Sequence, residues 1–330
     1  MKPFRYALLP GLALVLVSLL ANISTAEAGL LDRLRERRGE RSTAQESIPT
    51  VPGDYSLKLE HAGQQRQYRL HIPASYKGDK VTPLVLAFHG GGGNMDIQAD
   101  DRYYGLVAKS EQAGFIIAFP NGYSRLGGKL ATWNAGHCCG AARDKDSDDV
   151  GFVRELLARL QAGLSIDERR IFATGISNGA MMSYRLACEM SGTFRAIAAV
   201  AGTDNTRSCT PDKAVSILHI HARDDELELF DGGAGRKSDK VTPFVAVPDS
   251  MAKWARLDGC RPVPERIFET PGAYCEAYSG CRDGSAVKLC VTDSGGHSWP
   301  GGQKPRGGAD KPPSTAIRAT DVIWQFFSER

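Results

Sequence analysis

Ser177 stands at the centre of a Gly-x-Ser-x-Gly motif at residues 175–179. The short apolar segment 170–173 precedes it and predicts a buried strand, and apolar residues recur at helical spacing over 180–188. A strand, a sharp turn and a helix are the context of a nucleophile elbow, where glycines let strand and helix pass close together. The pattern predicts that Ser177 is a nucleophile at a helix N-terminus, where the helix dipole favours developing negative charge.

A serine nucleophile needs a base to take its proton, and the base needs a third group to fix its tautomer. Of seven histidines, His297 lies after the last predicted strand, in the loop GGHSWPG at 295–301, which can fold tightly while presenting one imidazole. His297 is therefore the predicted base. The others fall in an edge hairpin, a strand, a cysteine-rich loop or the start of a glycine loop, where structural roles are commoner: His61, His71, His89, His137, His219 and His221.

Carboxylates that could orient this base follow two predicted strands. Asp224, Asp225 and Glu226 lie just beyond the strand that ends near His221, and Asp204 follows the preceding strand. Loops at the carboxyl ends of parallel strands are where such sites gather. Any of the aspartates gives the chain order serine, acid, histidine that is typical of α/β-hydrolases. Periodicity does not choose between Asp224 and Asp225.

Negative charge on a tetrahedral intermediate needs hydrogen-bond donors that are already in place. The backbone N–H of Asn178, next to the nucleophile, is one predicted donor. The second is predicted in the glycine loop at 89–93, most simply Gly91, because this loop follows a buried strand and its four glycines leave room for a substrate carbonyl.

The elements that must position these residues alternate between strand and helix. Residues 55–59 and 68–72 alternate in polarity and predict an antiparallel hairpin at a sheet edge. Continuous apolar runs at 83–88 and 115–119 predict strands buried on both faces. Further strands are predicted at 170–173, 196–201, 215–220 and 287–291, and helices at 100–112, 149–164, 178–190 and 315–327. Repeated strand–helix–strand units predict an α/β fold, a mostly parallel central sheet with helices on both faces.

The ends of the chain and its charge restrict its class. A basic start at 1–5, an apolar run at 6–20 and Ala26-Glu27-Ala28 predict a signal peptide over residues 1–28; a membrane anchor is the alternative, but the run is short for one. Residues 29–50 read as a charged, polar tether, and 51–330 as one catalytic domain. A net charge of +3 without a long basic tract argues against a nucleic-acid partner, and no later segment predicts a membrane span.

Several motifs together resemble those of the secreted polyhydroxybutyrate depolymerases and their relatives, the feruloyl and acetylxylan esterases of carbohydrate esterase family one. The likeness covers roughly residues 53–328, and it is carried by the glycine loop at 89–93, Trp133-Asn134 with Cys138-Cys139-Gly140, and the segments 148–152, 175–182 and 295–301. The family's acid motif is His-Gly-x-x-Asp. It reads here as residues 221–225, with Ala222 in place of the glycine, and it selects Asp225 as the acid.

The resemblance implies an α/β-hydrolase fold and hydrolysis of carboxylic esters through an acyl-enzyme, without metal or cofactor. Hydroxyalkanoate esters or oligomers are the substrates it first implies, with plant cell-wall feruloyl or acetylxylan esters as the alternative. Trp133 and Trp299 are expected to line the acyl pocket, although Trp299 could instead pack beneath the histidine loop. A binding protein on the same scaffold without catalytic activity would be expected to lack the serine, the acid or the histidine, and all three are present here. A serine peptidase is a further alternative, but the glycine loop and the histidine loop argue against it.

Eight cysteines, all beyond residue 137, indicate an oxidising compartment if the chain is exported, and full pairing is expected. A bond between the adjacent Cys138 and Cys139 would strain the disulfide and the peptide, so each is predicted to reach a separate partner. Cys188 ends the helix after Ser177 and Cys209 follows the next strand, which predicts a bridge between them. The family resemblance adds a bridge between Cys260 and Cys281.

Overall fold

The computed structural model describes residues 46–238, 241–305 and 311–330. The predicted signal peptide and the tether up to residue 45 lie outside these residues. All the described helices and strands lie within one compact unit, Ser47–Arg330. None of the helices in this described part is long and apolar enough to cross a membrane.

Ten strands in the described residues form one sheet with the order β1-β2-β4-β3-β5-β6-β7-β10-β9-β8. The six strands from β4 to β10 in this order pair in parallel, whereas β1 and β2 at one end and β8 and β9 at the other pair antiparallel. The predicted hairpin is confirmed at one edge. The strands are β1 Gly53–His61, β2 Gln64–Ile72, β3 Thr82–Phe88, β4 Ile116–Pro120, β5 Ile166–Ile176, β6 Ala196–Val200, β7 Ser216–Ala222, β8 Glu265–Thr270, β9 Ala273–Tyr278 and β10 Val287–Thr292.

The helices cover both faces of the sheet, as predicted. They are α1 Met95–Gln98, α2 Leu106–Ala113, α3 Gly140–Asp144, α4 Asp149–Gly163, α5 Asn178–Glu189, α6 Val247–Leu257 and α7 Ala319–Ser328, with a short 3₁₀ turn at Arg282–Gly284. Successive side chains of β3 point to opposite faces. Leu84 and Leu86 join the apolar core formed with α4, α5 and α6, and Val85 joins the core formed with α2 and α7.

The structure departs from the predicted elements where local geometry outweighs apolar periodicity. The helix expected from residue 100 begins only at Leu106, after Gly105 in the left-handed region at φ 65°. The Asp101 carboxylate accepts the N–H groups of Val107 and Ala108, which caps this helix from outside it. Helix α6 and the β8–β9 hairpin were not predicted. Five of the six residues of β8 are exposed, so this edge strand carries no apolar alternation.

The cysteine pairing confirms two predicted bridges and corrects one prediction. All eight cysteines are paired, including Cys188 with Cys209 and Cys260 with Cys281. The prediction that Cys138 and Cys139 have separate partners is wrong, because they pair with each other. In the structure the peptide bond between them is cis, and their Cα atoms lie 3.1 Å apart. The remaining pair, Cys275–Cys290, joins residues directly opposite each other on β9 and β10.

A buried ion pair connects the edge hairpin to the start of α4. Arg66 Nη2 on β2 lies 2.7 Å from Asp149 Oδ1 at the start of α4, and its guanidinium lies over the Phe152 ring. The second oxygen of Asp149 accepts the backbone N–H of Asn134 at 2.8 Å. The side chains of Arg66 and Asp149 are 6% and 0% exposed, so this ion pair is almost completely shielded from water.

Replacing Arg66 by Met is expected to lower the free energy of unfolding by about 3–5 kcal/mol, because Asp149 would remain buried without its countercharge. Urea denaturation with the disulfides intact measures the loss. Arg169→Met is the matched control, because Arg169 is 91% exposed beside Asp167 and such pairs contribute about 0–1 kcal/mol. Equal unfolding midpoints for the two variants would show that the buried pair contributes no more than the exposed one.

Candidate active site

Ser177 occupies the turn between β5 and α5, with φ 55° and ψ −126°. Residues other than glycine rarely adopt this backbone conformation, and close packing holds Ser177 in it. A Cβ atom on Gly175 would lie 2.5 Å from the carbonyl carbon of Gly179, and one on Gly179 would overlap the Phe88 carbonyl oxygen. Glycines are therefore required at both positions, and the predicted elbow is confirmed as a structural element.

His297 and Asp225 form a hydrogen-bonded pair at the carboxyl end of the sheet. His297 Nδ1 donates to Asp225 Oδ2 at 2.8 Å, which leaves Nε2 free of this pair. The other oxygen, Asp225 Oδ1, accepts the backbone N–H groups of Leu227 at 2.8 Å and Glu228 at 3.0 Å. These contacts fix both the carboxylate and the imidazole that it orients.

The electrostatics of the pair suit a general base. Burial by itself raises the pKa of Asp225, but the charge and hydrogen bond of His297 outweigh it, so the pKa lies below its ordinary value. Burial lowers the pKa of His297, but the charge and hydrogen bond of Asp225 outweigh this effect, so the pKa lies above its ordinary value. Asp225 is thus ionised at neutral pH, and His297 holds a proton more strongly than a free imidazole does.

The other two candidate acids have different partners. Asp224 Oδ1 accepts the backbone N–H of Gly296 at 2.8 Å, and its second oxygen lies 3.0 Å from Lys311 Nζ. Asp204 Oδ2 accepts from the Trp254 indole at 2.9 Å and lies 2.7 Å from Lys253 Nζ. Asp224 therefore supports the backbone beside His297, and Asp204 belongs to a separate buried cluster. Of the three aspartates, the structure joins Asp225 to His297.

The glycine loop lies against the elbow, as the predicted oxyanion site requires. A Cβ atom on Gly90 would lie 3.6 Å from Ser177 Cβ, and one on Gly91 would lie 3.6 Å from Asn178 Cβ. His89 fixes the start of the loop, since its Nδ1 donates to the Gly90 carbonyl at 2.8 Å. Burial lowers the pKa of His89 to about 4, so this imidazole is neutral and structural. The roles of Gly91 and Asn178 as oxyanion donors remain predictions.

Both predicted substrate-contacting tryptophans are buried. Trp133 is 0% exposed, its indole N–H donates to the His89 carbonyl at 3.0 Å, and its backbone N–H donates to the Asn178 side chain at 2.7 Å. Trp299 is 2% exposed and donates to Thr320 Oγ1 at 3.0 Å. The contacts of these indoles are therefore those of packing residues that support the two loops. Their contact with substrate remains a prediction.

Glu228 lies in the site although no sequence pattern selects it. Its Oε1 lies 3.5 Å from Ser177 Oγ, and its Oε2 accepts the backbone N–H of Thr203 at 3.3 Å. Glu228 is 0% exposed. In the sequence it stands two residues after Glu226, and it belongs to no motif. Only the folded backbone distinguishes the two glutamates.

A chain of buried side chains holds the backbone of Glu228. The Tyr184 hydroxyl donates to His219 Nδ1 at 2.8 Å, His219 Nε2 donates to His221 Nδ1 at 3.1 Å, and His221 Nε2 donates to the Glu228 carbonyl at 3.0 Å. Burial lowers the pKa of both histidines, and one set of neutral tautomers satisfies all three bonds. Among the described residues, no group of three or more His, Cys, Asp or Glu is placed to hold a metal ion.

Comparison with known proteins places this geometry in context. The family model described as esterase PHB depolymerase matches residues 66–255. Feruloyl esterase B of Piromyces equi is 29% identical over 240 residues, which cover 71% of this chain but only 42% of that protein. Feruloyl esterase C of Emericella nidulans is 27% identical over 268 residues, covering 79% of this chain and 83% of that protein.

A solved structure supports the fold. The acetyl xylan esterase from Aspergillus awamori aligns with a TM-score of 0.56 and 14% identity, covering 84% of this chain and all of that one. At this identity the likeness concerns the fold alone. Together with the mostly parallel sheet, it identifies an α/β-hydrolase fold.

Asp225→Asn is expected to lower kcat for p-nitrophenyl acetate by about 10⁴-fold, because an amide favours the wrong tautomer of His297. Asp224→Asn is expected to retain most of the activity, since the asparagine oxygen can still accept from Gly296. Steady-state kinetics on both variants, each with a wild-type thermal unfolding curve, test this. Reversed behaviour of the two variants would assign the acid to Asp224.

Proposed function

This chain belongs to the esterase PHB depolymerase family, and on that premise we propose that it is a serine esterase in which Ser177 carries the acyl group between two steps. Membership makes the chain a carboxylic ester hydrolase. The observation that supports the proposed mechanism is the 2.8 Å contact between His297 and Asp225 at the edge of the sheet where the elbow presents Ser177.

In the first step, Ser177 Oγ attacks the ester carbonyl carbon while His297 Nε2 takes the hydroxyl proton. The carbonyl oxygen becomes an oxyanion, held by the backbone N–H groups of Asn178 and Gly91. His297 then gives its proton to the alcohol oxygen as the C–O bond breaks. The alcohol leaves, and Ser177 remains acylated.

The second step repeats this chemistry with water. His297 takes a proton from the water molecule, whose oxygen attacks the acyl carbon, and returns it to Ser177 Oγ as the acid is released. Asp225 stays ionised throughout and stabilises the imidazolium that forms in each step. The backbone donors to Asp225 keep it in place.

The proposed substrates are hydroxyalkanoate esters or their soluble oligomers, and the family match supports this choice. Feruloyl esters are the second candidate, because two relatives at 27–29% identity are named feruloyl esterases. Export is proposed from the signal-peptide pattern at residues 1–28. The four disulfides support it, because such bonds persist in oxidising compartments.

Ser177→Ala and His297→Ala are each expected to lower kcat by about 10³-fold or more, and the double variant little further, because the residues act as a unit. The assay compares 3-hydroxybutyrate oligomers, methyl ferulate and acetylated xylan with p-nitrophenyl acetate. The highest kcat/KM is expected for the hydroxybutyrate oligomers. A preference for methyl ferulate would replace the first substrate class by the second, and near-wild-type turnover by folded Ser177→Ala would exclude the mechanism.

A further inference from the structure

Glu228 is a buried carboxyl group that contacts the proposed nucleophile but has no part in the mechanism above. Its Oε1 lies 3.5 Å from Ser177 Oγ, a long hydroxyl-to-carboxyl contact, and its Oε2 is held by the Thr203 N–H. Its own backbone carbonyl accepts from His221, and its own backbone N–H donates to Asp225. Glu228 is thus fixed at both ends with its carboxyl group aimed at the reacting oxygen.

The charge on Glu228 depends on the groups that face it. Burial raises its pKa to about 8; the charge of His297, on the loop after β10, opposes this, and the charge of Asp225, on its own loop, adds to it. His221 faces its backbone from the end of β7 and is neutral because burial lowers its pKa. At neutral pH Glu228 is therefore mostly a neutral carboxylic acid.

The two forms of Glu228 affect Ser177 in opposite ways. An ionised carboxylate would accept a hydrogen bond from the Ser177 hydroxyl and so turn its proton away from His297. It would also place a negative charge near the tetrahedral intermediate, whose carbonyl oxygen becomes negative. It would also raise the pKa of His297 and favour the protonated imidazole, which cannot act as a base. A neutral carboxyl group has none of these effects, and its O–H can donate to Ser177 Oγ.

We propose that Glu228 is a second active-site acid that contacts Ser177 Oγ and must be neutral for Ser177 to react. The inference rests on the proposed function of Ser177. It assigns to Glu228 the alkaline limit of the reaction, while His297 sets the acidic limit. The ionisations of His297 and Glu228 together give a bell-shaped dependence of rate on pH. Its two limbs report coupled titrations of these groups.

The test measures the rate of Ser177 modification by diisopropyl fluorophosphate, together with kcat/KM for p-nitrophenyl acetate, from pH 5 to 10. In the wild type, both rates are expected to fall about tenfold for each pH unit above about 8. In Glu228→Gln the fall is expected to disappear, because glutamine cannot ionise. Glu226→Gln is the matched control; Glu226 pairs with Arg236 in the same loop, and its variant should keep the wild-type fall.

A wild-type rate that stays flat to pH 10, or a fall that persists in Glu228→Gln, would overturn the proposal. Glu228→Met serves as a second non-ionising variant if the glutamine variant does not fold, and recovery of activity on return to pH 7 excludes denaturation. Failure of the ester mechanism is recognised separately. In that case Ser177→Ala would still hydrolyse the ester, whatever the shape of the pH profile.

Discussion

The site depends on the close approach of two backbone segments where β3 and β5 end. Gly179, at the start of α5, lies so near the Phe88 carbonyl that a Cβ atom would overlap it, and Gly175 is packed against Gly179 in turn. This approach forces the turn at Ser177 and brings the glycine loop that follows β3 against it. A larger side chain at either glycine would push the elbow away from the glycine loop that carries the proposed donor Gly91, so the packing and the chemistry share one requirement.

Around this contact, each buried ionisable group described above is either paired or neutral. Asp149 is paired with Arg66, Asp225 with His297, and His89 is neutral because burial lowers its pKa. An unpaired buried charge is costly, and a low dielectric also strengthens the pairs that remain. Glu228 is mostly neutral because burial raises its pKa. Since it lies beside Ser177, its protonation state matters for the proposed reaction.

The sequence predicts those parts of the site that have local signatures. Ser177 and the parallel sheet follow from the glycine motif and apolar runs, and His297 from its loop. Asp225 needs more, since periodicity leaves Asp224 open and only the family motif selects between them; the backbone N–H groups that hold Asp225 are visible only in the fold. The partner of Cys138 and the position of Glu228 were not predictable from the sequence. Both depend on how the backbone of a loop folds, which leaves no pattern in the residue types.

The location of the acyl group during turnover tests the proposed role of Ser177 most directly. The wild type is mixed with p-nitrophenyl butyrate, quenched in acid within milliseconds to seconds, digested and mapped by mass spectrometry. A butyryl group is expected on the peptide that contains Ser177, and on no other peptide. An acyl group on a different residue, or steady hydrolysis with no covalent adduct at any time, would exclude Ser177 as the nucleophile.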